Sequence, residues 1–227
     1  SERPTTTRGQ VSQAQNDGWD MALTAKGVLE AAALLGQTYE LVVTNVPYLT
    51  GKRMSEGLGD HAKRVFPDSK SDLATVFLER AIEFCSRGGV SQLVMTQNWL
   101  FLAGYKKLRE KLLQSVNINL LAKLGGGAEA FESGPGNITN ICLLTVTKVD
   151  KNPTRSLIRG IDVSERKTPP EKAALLITKA IACRLQEAVL ANPDSVITTD
   201  ILASSGLLSD FVEYSNGIQS GDSCRFT

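Results

Sequence analysis

Tyr39-Glu40-Leu41-Val42-Val43-Thr44-Asn45-Val46-Pro47-Tyr48 sets the frame for the whole chain. Its first six residues are a short apolar run rich in β-branched side chains. That composition predicts a strand, and Pro47 closes it. Upstream, residues 18–35 place Trp19, Met21, Leu23, Val28, Leu29, Leu34 and Leu35 among alanines, with Gly36 as the stop, so a helix is expected. Downstream, residues 49–70 read as a long polar loop holding Gly51, Gly57, Gly59 and Pro67. Asp72 to Arg87 then puts Leu73, Val76, Phe77, Ala81 and Phe84 on one helical face, with Gly88-Gly89 as the expected stop.

The same alternation continues. Val90 to Thr96 reads as a strand. Residues 102–114 read as a helix carrying Tyr105, Leu108 and Leu112. Val116, Ile118, Leu120, Ala122 and Leu124 alternate strictly, which is the period of a strand. Gly125-Gly126-Gly127 ends it. Ile138 to Val149 is a further strand, and Leu157 to Val163 a weaker one. Thr168-Pro169-Pro170-Glu171 has the form of a capping box with proline in the first turn, opening a helix expected to reach about Leu190. Strand–helix alternation from 40 to 124 indicates βαβ units: an α/β fold with a mostly parallel sheet. The strands from 116 to 149 have no helix between them and are expected to form an antiparallel β-hairpin at one edge. In such sheets the functional residues sit at the carboxyl ends of strands.

Composition narrows the function classes. Hydrophobic residues make up 42% of the 227, ordinary globular usage rather than that of a disordered tail. Lys and Arg number 25 against 24 for Asp and Glu, so bulk charge does not indicate a strongly basic nucleic-acid protein; a local patch stays open. Cys85, Cys142, Cys183 and Cys224 have no Cys-x-x-Cys spacing, and His61 is the sole histidine. A zinc cluster is therefore not expected, nor any other metal, and the cysteines read as buried reduced thiols of a cytoplasmic protein. His61 lies in a polar loop and reads as an exposed bystander. No run of about 18 apolar residues occurs, so no membrane span is expected.

Asn45-Val46-Pro47-Tyr48 places an amide, a rigid turn and an aromatic ring at the carboxyl end of a strand. Such a group can hold a planar amine. The Asn45 side-chain oxygen accepts one N–H, the Val46 carbonyl accepts the other, and the Tyr48 ring stacks on the attached base. Two acceptors around an exocyclic amine favour a tetrahedral nitrogen, whose lone pair can attack a methyl group. A strand-ending turn with a buried tyrosine is the plainer alternative.

This tetrapeptide is similar to the Asn-Pro-Pro-Tyr signature of S-adenosylmethionine-dependent amino-methyltransferases. More of the chain resembles one branch: the large N6-adenine DNA methyltransferases of restriction-modification and phage-exclusion (BREX, PglX-like, Eco57I-like) systems. Phe66-Pro67-Asp68-Ser69-Lys70-Ser71-Asp72-Leu73 and Phe77-Leu78-Glu79-Arg80-Ala81 look like the segment after that signature. Met95-Thr96-Gln97-Asn98-Trp99-Leu100-Phe101-Leu102 and Tyr105 to Leu113 look like the next strand, turn and helix. Residues 125–140, with Ala130-Phe131, resemble the loop and last hairpin. Gly217-Ile218-Gln219-Ser220-Gly221-Asp222 resembles the entry to a target-recognition domain.

The resemblance implies a Rossmann-like methyltransferase fold, S-adenosylmethionine as cofactor and double-stranded DNA as partner. Other restriction-modification or phage-exclusion subunits are implied as further partners. The catalytic residues would be Asn45, Val46, Pro47 and Tyr48. Tyr48 and Phe131 would stack on an adenine flipped out of the duplex, because its N6 amine is not reachable in the stack. Lys106, Lys107 and Arg109 could touch DNA phosphate, the alternative being a solvated helix face. Two departures stand out. Position 46 is Val where the family has Pro, which leaves φ free, and no Gly-rich cofactor motif precedes the signature. The expected organisation is therefore an incomplete fold. It has a polar N-terminal segment (1–17), a partial catalytic domain (18–165) and a helical extension leading towards a missing target-recognition domain (166–227). Two other functions stay open: a catalytically silent DNA-binding or assembly module, and methylation of a protein glutamine amide.

Overall fold

The computed structural model describes residues 8–126, 139–150 and 155–199, with side chains from residue 21 onward. Six strands form one sheet: β1 (Tyr39–Asn45), β2 (Cys85–Thr96), β3 (Val116–Gly126), β4 (Asn140–Lys148), β5 (Leu157–Asp162) and β6 (Ala182–Leu185). Their order across the sheet is β1-β2-β4-β3-β5-β6. β1 pairs parallel with β2, and β3 with β5, while β4 and β6 run the other way. Four of the six strands thus share one direction, as the strand–helix alternation requires. The β3–β4 hairpin forms as expected. Its place differs: β5 and β6 extend the sheet beyond β3, so the hairpin lies inside the sheet rather than at its edge.

Helix α1 spans Arg8–Leu35, α2 Glu56–Val65, α3 Leu73–Phe84, α4 Lys106–Ser115, α5 Pro169–Thr178 and α6 Gln186–Leu190. The crossover from β1 to β2 carries α2 and α3; that from β2 to β3 carries α4. Helices α3 and α4 cover the same face of the sheet and meet one core. Ala74, Leu78 and Ala81 of α3 and Leu108, Leu112 and Leu113 of α4 pack with Leu93 and Met95 of β2, Leu121 of β3 and Leu144 of β4. On the opposite face a smaller cluster joins Ala122, Leu124, Ile161 and Val163 to Leu175 and Leu176 of α5.

Three stretches depart from the sequence expectation for tertiary reasons. The polar segment 49–70 contains α2, whose Ala62 packs with Phe66, Leu73 and Val76. Helix α3 ends at Phe84, short of the glycines. Gly88 (φ +77°) and Gly89 instead sit inside β2, where the register against β1 shifts. A Cβ on Gly89 would lie 2.8 Å from the Tyr39 carbonyl, so only glycine admits β1 at that distance. The capping box at Thr168 and Glu171 opens α5 as read, but the helix stops at Thr178. The chain then extends into β6, paired with β5, before the short α6. Cys183 on β6 is exposed, against the expectation of burial, while Cys85 and Cys142 are buried.

The buried polar groups hold the layers in register. Gln186 of α6 donates to the Leu113 and Val116 carbonyls (both 2.7 Å) and accepts from the Ile118 N–H at 3.0 Å. Glu79 of α3, almost wholly buried, accepts from Ser69 and from Lys111 of α4. Among the described residues no helix is long and apolar enough to cross a membrane.

Candidate active site

Asn45 is the last residue of β1 and stands opposite Val94 of β2. The backbone continues the ladder one step further: the Val46 N–H donates to the Val94 carbonyl at 3.2 Å. A proline at 46 has no such donor. The side chain of Val46 is buried in the main core, which anchors the turn from below. Pro47 and Asn45 are exposed, and Tyr48 is half-buried against the core. The Tyr48 hydroxyl donates to Asn45 Oδ1 at 3.2 Å. Burial pushes the Tyr48 phenol up, and nearby Cys142 adds to the rise, so it stays protonated and able to donate.

The residues after Tyr48 are clamped to the start of α3. The Leu73 N–H donates to the Leu49 carbonyl and the Gly51 N–H to the Ser71 carbonyl, both at 2.8 Å. Thr50 bridges Asp72 between them. Asp72 caps α3, its carboxylate accepting from the Ala74 N–H at 2.9 Å, so it serves the helix rather than a substrate. The signature turn thus sits between a β-ladder rung and a helix cap, and neither neighbour is free to slide.

β2 ends beside this turn. Gln97, the first residue past the strand, is 8% exposed, and its side-chain carbonyl oxygen has no hydrogen-bond partner. Its backbone N–H donates to the Asn140 carbonyl at 3.0 Å, which fixes its place at the carboxyl edge of the sheet. A buried acceptor left open costs about 1–3 kcal/mol, which marks Gln97 as a polar group at this edge of the sheet that the surrounding fold does not satisfy. The sequence reading gave Gln97 no role. The one signal for it was position: the residue that follows a strand end. Cys142 lies beneath the same edge, and burial pushes its thiol up to about 12 despite the opposing Trp99 and Lys123 contacts. It is an inert filler there, not a nucleophile.

The three α4 residues read as phosphate contacts separate. Lys107 is exposed, and Lys106 pairs with Asp194 at 3.0 Å. Arg109 corrects the expectation of phosphate contact: it is fully buried, and its guanidinium is spent on backbone carbonyls. It donates to Trp99 at 2.8 Å, to Leu102 at 2.7 Å and twice to Asp194, at 3.1 and 2.8 Å. The charge at 109 therefore fastens the turn after β2 to residue 194. His61 is exposed, its ring edge-on to Phe66. Phe131, the 217–222 stretch and Cys224 lie outside the described residues.

The described residues do not fit an S-adenosylmethionine site. Gly88 and Gly89 lie near the amino end of β2, the wrong edge of the sheet. Gly125 (φ +80°) lies at the right edge, but the space over it is filled: a Cβ there would come within 2.9 Å of Ser164. Asp162, at the carboxyl end of β5, is committed as well. Burial works to raise its carboxyl, but Lys123 at 2.5 Å and Ser164 outweigh that and hold it below the ordinary carboxylate range.

The chain is similar to known proteins in sequence and in fold. The model of the family described as Eco57I restriction-modification methylase matches residues 10–131. The adenine-specific methyltransferase BrxX of Escherichia coli O9:H4 (strain HS) is 39% identical over 124 residues, covering 55% of this chain and 10% of BrxX. The adenine-specific methyltransferase PglX of Lacticaseibacillus casei (strain Zhang) is 30% identical over 139 residues, covering 61% of this chain and 11% of PglX. This chain thus spans about a tenth of the length of these curated relatives. Among solved structures, the cryoEM structure of the DrdV–DNA complex superposes with a TM-score of 0.53 at 14% identity, over 72% of this chain and 19% of that one. That likeness is one of fold.

Proposed function

We propose, since the chain belongs to the Eco57I restriction-modification methylase family, that it supplies the amine-holding part of a DNA adenine N6-methyltransferase centre. The observation that carries this reading is the Tyr48-to-Asn45 hydrogen bond at the end of β1. It uses one lone pair of Asn45 Oδ1 and aims the amide. The second lone pair is left for one N–H of the target amine. The Val46 carbonyl, held by the rung to Val94, is the acceptor for the other N–H. With both N–H bonds so engaged, the nitrogen lone pair turns out of the ring plane towards the incoming methyl group. Tyr48 offers its ring to the flipped adenine, and Phe131 is the proposed second aromatic. The methyl donor of the proposed reaction is S-adenosylmethionine. Double-stranded DNA is the substrate, and the parent system is one of restriction-modification or phage exclusion.

The test uses the full polypeptide in which this chain occurs, expressed in a host without adenine methylation of its own. Asn45→Ala is expected to lower N6-methyladenine, read by mass spectrometry of host DNA, on the order of 10²-fold or more, the scale for loss of one transition-state hydrogen bond. Near-normal methylation in that variant would refute the assignment.

A further inference from the structure

Immediately after the signature turn the surface opens into a cleft of about 500 Å³, lined by Thr50, Gly51, Lys52, Gly59, Lys63, Lys70 and Ser71. Thr50 is two residues from Tyr48, so the cleft begins within about 7 Å of chain from the amine-holding group. Three lysines, a threonine and a serine line it, with no carboxylate-bearing residue among the lining residues. Asp60 pairs with Lys63 at 3.0 Å from outside that lining. Among the described residues Lys52 and Lys70 make no ion pair. Its two walls are drawn together by backbone. The Gly51 N–H donates to the Ser71 carbonyl, and a Cβ at 51 would sit 2.9 Å from the Lys70 carbonyl. The cleft is therefore held in shape by the same clamp that fixes the signature turn.

We infer that this cleft binds a backbone phosphate of the DNA strand flanking the flipped adenine. The inference rests on the reading of Asn45 and Tyr48 given above. Lysine ammonium groups are compact point charges suited to phosphate oxygens, and the Thr50 and Ser71 hydroxyls add uncharged donors. A nucleotide swung out of the duplex carries its own phosphates with it. Its base cannot lie against Tyr48 unless a neighbouring phosphate lies within a nucleotide's reach of it. A positive cleft at that distance both lowers the cost of flipping and fixes the register of the strand. Near-neutral net charge is no obstacle, since the charge is local.

The experiment measures binding of a short fluorescein-labelled duplex, carrying one adenine opposite an abasic site, to the full chain by anisotropy across a salt series. The variant Lys52→Gln/Lys63→Gln/Lys70→Gln is compared with a charge-matched control, Lys26→Gln/Arg87→Gln/Arg155→Gln. Arg87 and Arg155 lie towards the amino ends of β2 and β5, the far edge of the sheet. The cleft variant is expected to reduce the slope of log K against log salt by about 2–3, with the control changing it by less than about 1. Equal loss in both variants, an unchanged slope in the cleft variant, or no measurable binding by the native chain overturns the inference. Each of these leaves the Asn45 reading to stand or fall on its own methylation test. Asn45→Ala in the same binding assay is expected to leave the salt slope unchanged, because Asn45 meets the base and not a phosphate.

Discussion

On the face of the sheet that carries α3 and α4, Leu93, Met95, Leu121 and Leu144 are sealed from solvent, whereas on the opposite face Leu41 and Val43 of β1 stand 61% and 65% exposed. These are neighbouring strands of one sheet, with the same kind of side chains. The difference lies in what covers them. α5 reaches only the β3–β5 end of the second face. Met21, Leu23, Val28, Leu29, Leu34 and Leu35 of α1 are likewise exposed. The run Leu41-Val42-Val43 is apolar on both sides, the pattern of a strand buried on both faces. Its sequence is written for two covering layers and the described residues provide one. A strand can thus carry its pattern and its pairing without its packing.

The largest expected effect lies on the sealed face. Arg109→Ala removes the donor to three carbonyls, at Trp99, Leu102 and Asp194, and empties a fully buried site. Unfolding by urea is expected to show a loss of about 3–5 kcal/mol, from unpaired buried acceptors together with the cavity. Lys107→Ala, two residues away on the exposed side of α4, is expected within about 0.5 kcal/mol of the native chain. A small cost at 109 would mean that the guanidinium is not confined as described, and would return it to the list of phosphate contacts.

A second pair compares the faces directly. Leu121→Ala, fully buried between β4 and β5, is expected to cost about 2–5 kcal/mol. Leu41→Ala, the same chemical change on the open face, is expected within about 0.5 kcal/mol. Equal costs would break the comparison, because they would require Leu41 to be covered in solution.

What could be read from the sequence follows the same division. The strand ending at Asn45, the Asp72 cap and the capping box at Thr168 and Glu171 are set by neighbours within a few residues, and sequence carries that information. The signature at 45–48 was legible for the same reason. Helix α2 was not, because Ala62 gains its meaning only against Phe66, Leu73 and Val76. Neither was the end of α5, which is decided by the pairing of β6 with β5. Arg109 was misread because its partners lie at 99, 102 and 194, and a charge in a helix with three other cations looks solvated. Gln97 was missed because its open carbonyl is a property of the fold around it.

The smallest effect expected within the candidate site is at Val46, where the sealed face and the site meet. Its side chain points into the sealed core, and its N–H makes the last rung to Val94. Val46→Pro restores the family's residue but removes that rung, at about 1 kcal/mol. Fixing φ in the unfolded chain returns about 0.4–1 kcal/mol if the backbone is compatible. The net change in stability is expected within about 1 kcal/mol. If the rung already holds the carbonyl in place, methylation by the full polypeptide should change less than about 10-fold, the equivalent of 1.4 kcal/mol. If instead Val46→Pro creates methylation where the native residue gives none, the carbonyl is not held. The chain as it stands is then a silent DNA-binding or assembly module. The rung and the proline are two ways of fixing one acceptor, and this substitution decides whether the first is sufficient.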